Sequence, residues 1–201
     1  MESEWSMVLS DSEIKALIES KELIIHPILE ADQIHCAKVD VRLDNVIYAV
    51  RGMDRASFNA SFDDPREYTE IKRIPYNHTF VVHPYSFVTA PIFEMIKLPR
   101  YLVGRMDGRS SLARLGIIVH ATASGIDPSY AGKLVCELTN LGTVPVELLP
   151  LTRIASISFD KIEGKVLTDY QESHGKYGVR IESAMSTDTD RQKIHDMVER
   201  L

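Results

Sequence analysis

Lys133-Leu-Val-Cys-Glu-Leu-Thr-Asn140 alternates between apolar and polar residues, apart from Val135. Side chains on a β-strand point to opposite faces with a period of two. Leu134, Cys136 and Leu138 therefore share one face, and Lys133, Val135, Glu137 and Thr139 share the other. Similar short runs lie on both sides: Tyr101–Arg105, Ile117–Ala123, Val144–Leu149 and Ile154–Phe159. Short strands at this spacing, with almost no helical period, predict a mainly β fold built as an antiparallel sandwich or barrel.

Further out, Leu23–Leu29, Ala37–Val50 and Thr79–Ala90 read as strands, rich in β-branched and aromatic residues between turn formers. The polar stretch from Gly52 to Asn77 reads as a long excursion with a short strand at Tyr68–Ile74. Ser10-Asp-Ser-Glu13 is a capping box opening a helix through about Lys21. At the other end Ile194, Met197, Val198 and Leu201 form the stripe of an amphipathic helix over 187–201, read as a docking appendage to a domain spanning 1–186.

The 201 residues suit one domain, and 44% hydrophobic with 26% charged residues is enough for a packed core. A net charge of -6 argues against a nucleic-acid partner, which selects for a basic surface. Two cysteines 100 positions apart, Cys36 and Cys136, make neither a disulfide framework nor a metal knuckle. There is no apolar run of membrane-helix length and no signal-peptide layout at the start, so a cytoplasmic location with no membrane partner is expected.

Gly108-Arg-Ser-Ser-Leu-Ala-Arg-Leu-Gly116 reads as a loop entering a short central helix at about Ser110, closed by Gly116 in a left-handed conformation. Helix N-termini favour anions, and Arg109, Ser110 and Ser111 surround the free amides with one cation and two hydroxyls. Ser110 and Arg114, four apart, project on one face. The bland alternative is a capped surface helix with a solvated arginine. In Ser124-Gly-Ile-Asp-Pro-Ser-Tyr-Ala-Gly132, Asp127 is able to accept from a ligand hydroxyl and Tyr130 offers a flat face; an ordinary turn would use the same residues. Glu137 faces either solvent or a pocket, where it would suit proton shuttling. No histidine begins an H-x-E segment and no C-x-x-C is present, so a zinc deaminase site is not encoded and no resident metal is expected. Walker A and Rossmann fingerprints are missing as well.

Together these segments resemble the dCTP deaminases of the dUTPase-like superfamily. The resemblance begins at Met7–Lys15, continues through Val39–Leu43, His83-Pro84 and Phe87-Val88, and is strongest over Leu98–Asn140. It ends with Tyr170 and Lys176-Tyr177.

The resemblance implies a dUTPase-like antiparallel β-barrel or jelly-roll, assembled as a homotrimer with shared sites, that deaminates dCTP to dUTP without zinc and continues in some members to dUMP. It makes Glu137 the general acid/base, with Ser110 and Arg114 orienting it and the attacking water, and Asp127 gripping the deoxyribose 3′-hydroxyl. The substrate-binding set it implies is Arg109, Ser110, Ser111, Leu112, Ala113 and Arg114 of the central segment, Tyr130 beside the sugar, main-chain groups at Ala123, Val135, Cys136 and Glu137 reading the base, and Tyr170, Lys176 and Arg180 near the phosphates. Magnesium is expected as Mg2+ on the triphosphate. A dUTP pyrophosphatase and a non-catalytic nucleotide-binding regulator are the alternatives. The departures are Lys38, Asp44, Tyr85 and Arg180, where the family usually has a small hydroxyl residue, two glycines and a glutamine. Product cues conflict: Ser124-Gly125 matches neither the His-Arg of monofunctional members nor the glycine-aromatic pair of dual-activity ones, which also favour glutamine where Ser156 stands.

Overall fold

A computed structural model describes residues 8–50, 57–59, 64–121, 123–168 and 170. Its strands in chain order are β1 (Ile24–His26), β2 (Ile34–His35), β3 (Lys38–Arg42), β4 (Val46–Val50), β5 (Thr69–Arg73), β6 (Phe80–Val82), β7 (Phe87–Pro91) and β8 (Met95–Lys97). They continue as β9 (Leu102–Gly108), β10 (Ile117–Ile118), β11 (Gly125–Ile126), β12 (Ala131–Gly132), β13 (Val135–Asn140), β14 (Val146–Leu148) and β15 (Arg153–Lys161). Among the described residues two α-helices, α1 (Asp11–Glu19) and α2 (Ser110–Ala113), and two short 3-10 helices, Ala31–Gln33 and Pro65–Tyr68, complete the set.

Two five-stranded sheets, β10-β13-β7-β4-β5 and β11-β9-β15-β3-β2, carry most of the fold, and their ladders are antiparallel throughout. One apolar cluster draws on both: Val39, Val41, Met106, Ile157 and Phe159 from the second sheet, and Ile47, Val88, Ala90, Cys136 and Leu138 from the first. The alternation read at 134–138 is realised, with Cys136 and Leu138 fully buried between half-buried neighbours. Burial lifts the Cys136 thiol up to about 12, so it stays neutral and serves as a core residue.

The capping box forms: the Ser10 hydroxyl accepts the Glu13 N–H, and Glu13 accepts the Ser10 N–H at 3.0 Å. Leu9 N–H to the Phe159 carbonyl at 2.8 Å fastens this end to β15.

Two expected strands divide. Ala37–Val50 becomes β3 and β4, which lie in different sheets. The corner is Leu43-Asp44: Leu43 N–H goes to Thr152 in one direction, and Asp44 N–H to Pro91 in the other. Asp44, where the family has glycine, is buried and its carboxylate holds Lys133 Nζ at 2.6 Å. Thr79–Ala90 likewise divides into β6 and β7 around Tyr85, which adopts φ +58° in place of a turn glycine. Ile117–Ala123 is a strand only over its first two residues, because the chain then leaves the sheet to reach β11. The short strands β8 and β12 were not legible in the sequence. The helix expected at 187–201, and Met1–Ser6, lie outside the described residues.

Candidate active site

Glu137 sits at the middle of β13 on the face turned away from the core, half-buried. Its N–H goes to the Val119 carbonyl at 2.8 Å, and its Oε2 accepts the Ala121 N–H at 3.1 Å. The loop leaving β10 therefore grips both its backbone and its side chain. Glu137 is thus half-buried and hydrogen-bonded on a strand that lies between β10 and β7.

The same loop contains His120, whose Nδ1 is buried without a hydrogen-bond partner; Thr89 Oγ1 on β7 is the other such side-chain atom among the described residues. Burying a polar group without a partner is costly, so such atoms mark places where a ligand or water is accepted. Neither residue stood out in the sequence, where a strand threonine and a loop histidine carry no signal.

α2 is a single turn starting at Ser110, with Arg109 at its N-cap in extended conformation. Ser110, Ser111, Ala113 and Arg114 are exposed and Leu112 packs into the core. The first amides of a helix have no acceptor within it, which leaves those of Ser110 and Ser111 pointing outward. Gly116 has φ +88°, and a Cβ there would stand 2.6 Å from the Gly142 nitrogen. Asn140, fully buried at the end of β13, ties this turn down: its amide donates to Val82 and Val144 carbonyls at 2.9 Å each and accepts the Gly142 N–H at 2.8 Å. The position of α2 is thus locked to the strand that carries Glu137, three residues from its end.

Arg109 is half-buried and leans on the second sheet. Its guanidinium lies 3.6 Å from the buried Asp40 carboxylate, which also meets Arg153 at 3.3 Å and His35 at 3.3 Å. Ser156, buried, pairs in register with Asp40 on one side and Asp107 on the other.

Asp127 and Ala123 are exposed on the turn around β11. Tyr130 is 7% exposed, its hydroxyl donating to the Lys133 carbonyl at 2.9 Å and its ring 5.7 Å from that of Tyr170. Burial first, and Tyr170 second, push its phenol well above the usual tyrosine value. Most of its flat face is therefore taken by protein. Even-numbered residues of β13 face β7 with their backbone, as the Leu134 and Asn140 carbonyls show by accepting Ile92 and Tyr85 N–H groups. Cys136 thus has its side chain in the core and its backbone in the ladder, while Val135 and Glu137 turn theirs toward the β10 side. Within one chain no hydrogen bond among the described residues joins Ser110, Arg114 or Asp127 to Glu137. Lys176 and Arg180 lie outside the described residues.

This architecture is mainly β: antiparallel sheets with a glutamate in mid-strand on β13 and a short arginine-serine helix following β9. The family model described as dCTP deaminase-like matches residues 8–162, and the chain belongs to that family. Over 170 residues it is 43% identical to a protein of Dictyoglomus turgidum named "dCTP deaminase, dUMP-forming", covering 84% of this chain and 88% of that one. It is 37% identical over 183 residues to the "dCTP deaminase" of Buchnera aphidicola subsp. Baizongia pistaciae, covering 85% and 93%. The crystal structure of 2′-deoxycytidine 5′-triphosphate deaminase from Agrobacterium tumefaciens superposes with TM-score 0.63 at 22% identity over 78% of this chain; the chain spans 49% of that longer one. That likeness is one of fold.

Proposed function

We propose that this chain hydrolyses the cytosine amino group of dCTP and carries the product on to dUMP. The observation that carries the reading is Glu137, half-buried on an outward sheet face with Oε2 held by the Ala121 N–H, in a chain of the dCTP deaminase-like family.

In the reaction, the oxygen of a water molecule bonds to C4 of the base while its proton passes to Glu137. Glu137 passes that proton to N3 as the C4=N3 double bond opens, then carries the remaining proton of the new C4 hydroxyl to the amino nitrogen; the C4–N bond breaks, C4=O forms, and ammonia leaves. Ser110 and Arg114 orient the water and the carboxylate. Both are exposed on α2 and unconnected to Glu137 within one chain, which fits a site completed by a neighbouring copy. The glutamate face also exposes Phe87 at 49% and Ile118 at 37%, and Leu115 nearby at 56%, as a face covered in an assembly would. A homotrimer is proposed, three times the 22.7 kDa chain mass; a stable, active monomer in light scattering would remove the shared site.

Arg109, Ser110 and Ser111 take the phosphates with the unspent amides of Ser110 and Ser111, Leu112 and Ala113 closing the turn on the Arg109 carbonyl, and Tyr170, Lys176 and Arg180 join them. Asp127 takes the 3′-hydroxyl, the small exposed part of Tyr130 lies beside the sugar, and main-chain groups at Ala123, Val135 and Glu137 read the base, the Cys136 backbone being spent on the ladder to β7. Magnesium arrives on the triphosphate, held by phosphate and water oxygens. Among the described residues no three His, Cys, Asp or Glu side chains gather as a metal-holding cluster, and this role asks for none. No helix among the described residues is long and apolar enough to cross a membrane.

Incubation with dCTP and magnesium, followed by separation of dUTP, dUMP and pyrophosphate, tests the reading. Ammonia, dUMP and pyrophosphate are the expected products. Conversion to dUTP alone would leave a deaminase only, and absence of ammonia would overturn the proposal.

A further inference from the structure

The strand register sets a second polar side chain against Glu137. Glu137 of β13 lies directly opposite Thr89 of β7. The Glu137 N–H is spent on Val119, away from β7, while the ladder to β7 runs through even-numbered residues. Glu137 and Thr89 are therefore a non-hydrogen-bonded antiparallel pair, the kind whose Cα atoms stand only about 4.5 Å apart and whose side chains come closest. Both point away from the core, because Val88 and Ala90 beside Thr89, and Cys136 and Leu138 beside Glu137, all point into it. Thr89 is only 8% exposed, yet its hydroxyl has no partner. Valine would fill the same volume without burying a polar atom, so the hydroxyl does nothing for the fold as it stands.

We propose that Thr89 is a positioning residue for deamination: its hydroxyl hydrogen-bonds the Glu137 carboxyl in the substrate-filled site and holds it toward the attacking water. The inference rests on Glu137 being the acid/base of the proposed reaction. Ala121 N–H holds Oε2 from one side of β13, and Thr89 holds Oε1 from the other. A backbone N–H only donates, whereas a hydroxyl both donates and accepts. Thr89 therefore serves Glu137 in both of its states, donating to the carboxylate and accepting from the carboxylic acid once the proton has arrived.

Thr89→Val and Thr89→Ser, assayed beside the wild type for ammonia release and thermal melting, test this. Thr89→Val is expected to melt at or above the wild-type temperature and to keep KM for dCTP within about twofold, while kcat falls roughly tenfold or more, as loss of a hydrogen bond to a charged group implies. Thr89→Ser should restore most of kcat. Wild-type kcat in Thr89→Val, a lowered melting temperature in it, or failure of serine to rescue would each overturn the inference while leaving the deaminase reading in place. A wild-type chain releasing no ammonia would remove both together.

Discussion

The outer faces of the two five-stranded sheets are built on opposite principles. The glutamate face, on β13, β7 and β4, carries Glu137, Thr89 and Tyr48 in one register row. Its single carboxylate has one backbone donor, and its threonine hydroxyl has none. The arginine face, on β3, β15 and β9, is saturated: Asp40 meets His35, Arg109 and Arg153, Lys38 meets Asp107, and Arg42 meets Glu94 and Glu30. An orphaned buried hydroxyl costs on the order of 1–3 kcal/mol, whereas the buried carboxylates Asp40 and Glu94 are tolerable only because each is paired, and taking away one partner would cost about 3–5 kcal/mol. The first face gives up stability and leaves the Thr89 hydroxyl uncommitted and Glu137 lightly held; the second spends its polar groups on one another. Chemistry belongs to the first and support to the second, with Arg109, held at Asp40, as the residue they share.

The largest expected effect would break the comparison outright. Glu137→Gln keeps shape and removes the base, so kcat should fall by roughly 10²–10⁴ with dCTP binding nearly intact, and melting should barely move. Near wild-type turnover measured by ammonia release would mean that the glutamate face is not where the chemistry lies.

Asp40→Ala asks the converse question of the arginine face. The Asp40 side chain is 4% exposed and in reach of two guanidinium groups and the His35 ring, and removing one member of a buried ion cluster costs about 3 kcal/mol. Chemical denaturation should show that loss, with KM for dCTP altered through Arg109 and kcat changed less. An unchanged midpoint would show that the cluster is decoration.

What the sequence made legible follows the range of the forces involved. The alternation at 134–138 and the capping box at Ser10–Glu13 are local, and both are present. Asp44 and Tyr85 were visible as departures, but not as the corners where the chain changes sheets, because those corners are fixed by Thr152, Pro91 and Asn140 far along the chain. Thr89 was invisible for the same reason, since its meaning comes from register with Glu137. Arg109 was read as a phosphate ligand with no hint that Asp40 holds it, as nothing near Val39-Asp-Val announces a partner on another strand.

A smaller change sharpens the picture of the glutamate sheet. Tyr85 enters β7 at φ +58° and is 78% exposed. The left-handed region costs a non-glycine residue about 1–2 kcal/mol, part of which glycine would return as unfolded-chain entropy. Tyr85→Gly should therefore stabilise the chain by roughly 0.5–1 kcal/mol, with the deamination rate unchanged. A lower melting temperature would mean that the exposed ring is itself making a contact that matters, in an assembly for instance.

The smallest effect belongs to the arginine sheet, where Lys161 of β15 reaches Glu13 Oε1 at 3.0 Å. The Ser10 N–H first, and Lys161 second, lower the Glu13 carboxyl from 4.5 to about 2. A folded-state value below the unfolded one stabilises the fold when the group is ionised. That contribution is complete above about pH 4.5 and is lost as pH falls through about 2. The Glu13 side chain is 46% exposed, so solvent screening keeps it to a few tenths of a kcal/mol. Glu13→Gln should then melt slightly below the wild type by the same margin across the neutral range, with the gap beginning to close only below about pH 4.5. A gap that widened toward acid would reverse the sign of the linkage and place Glu13 among the groups that the fold holds neutral.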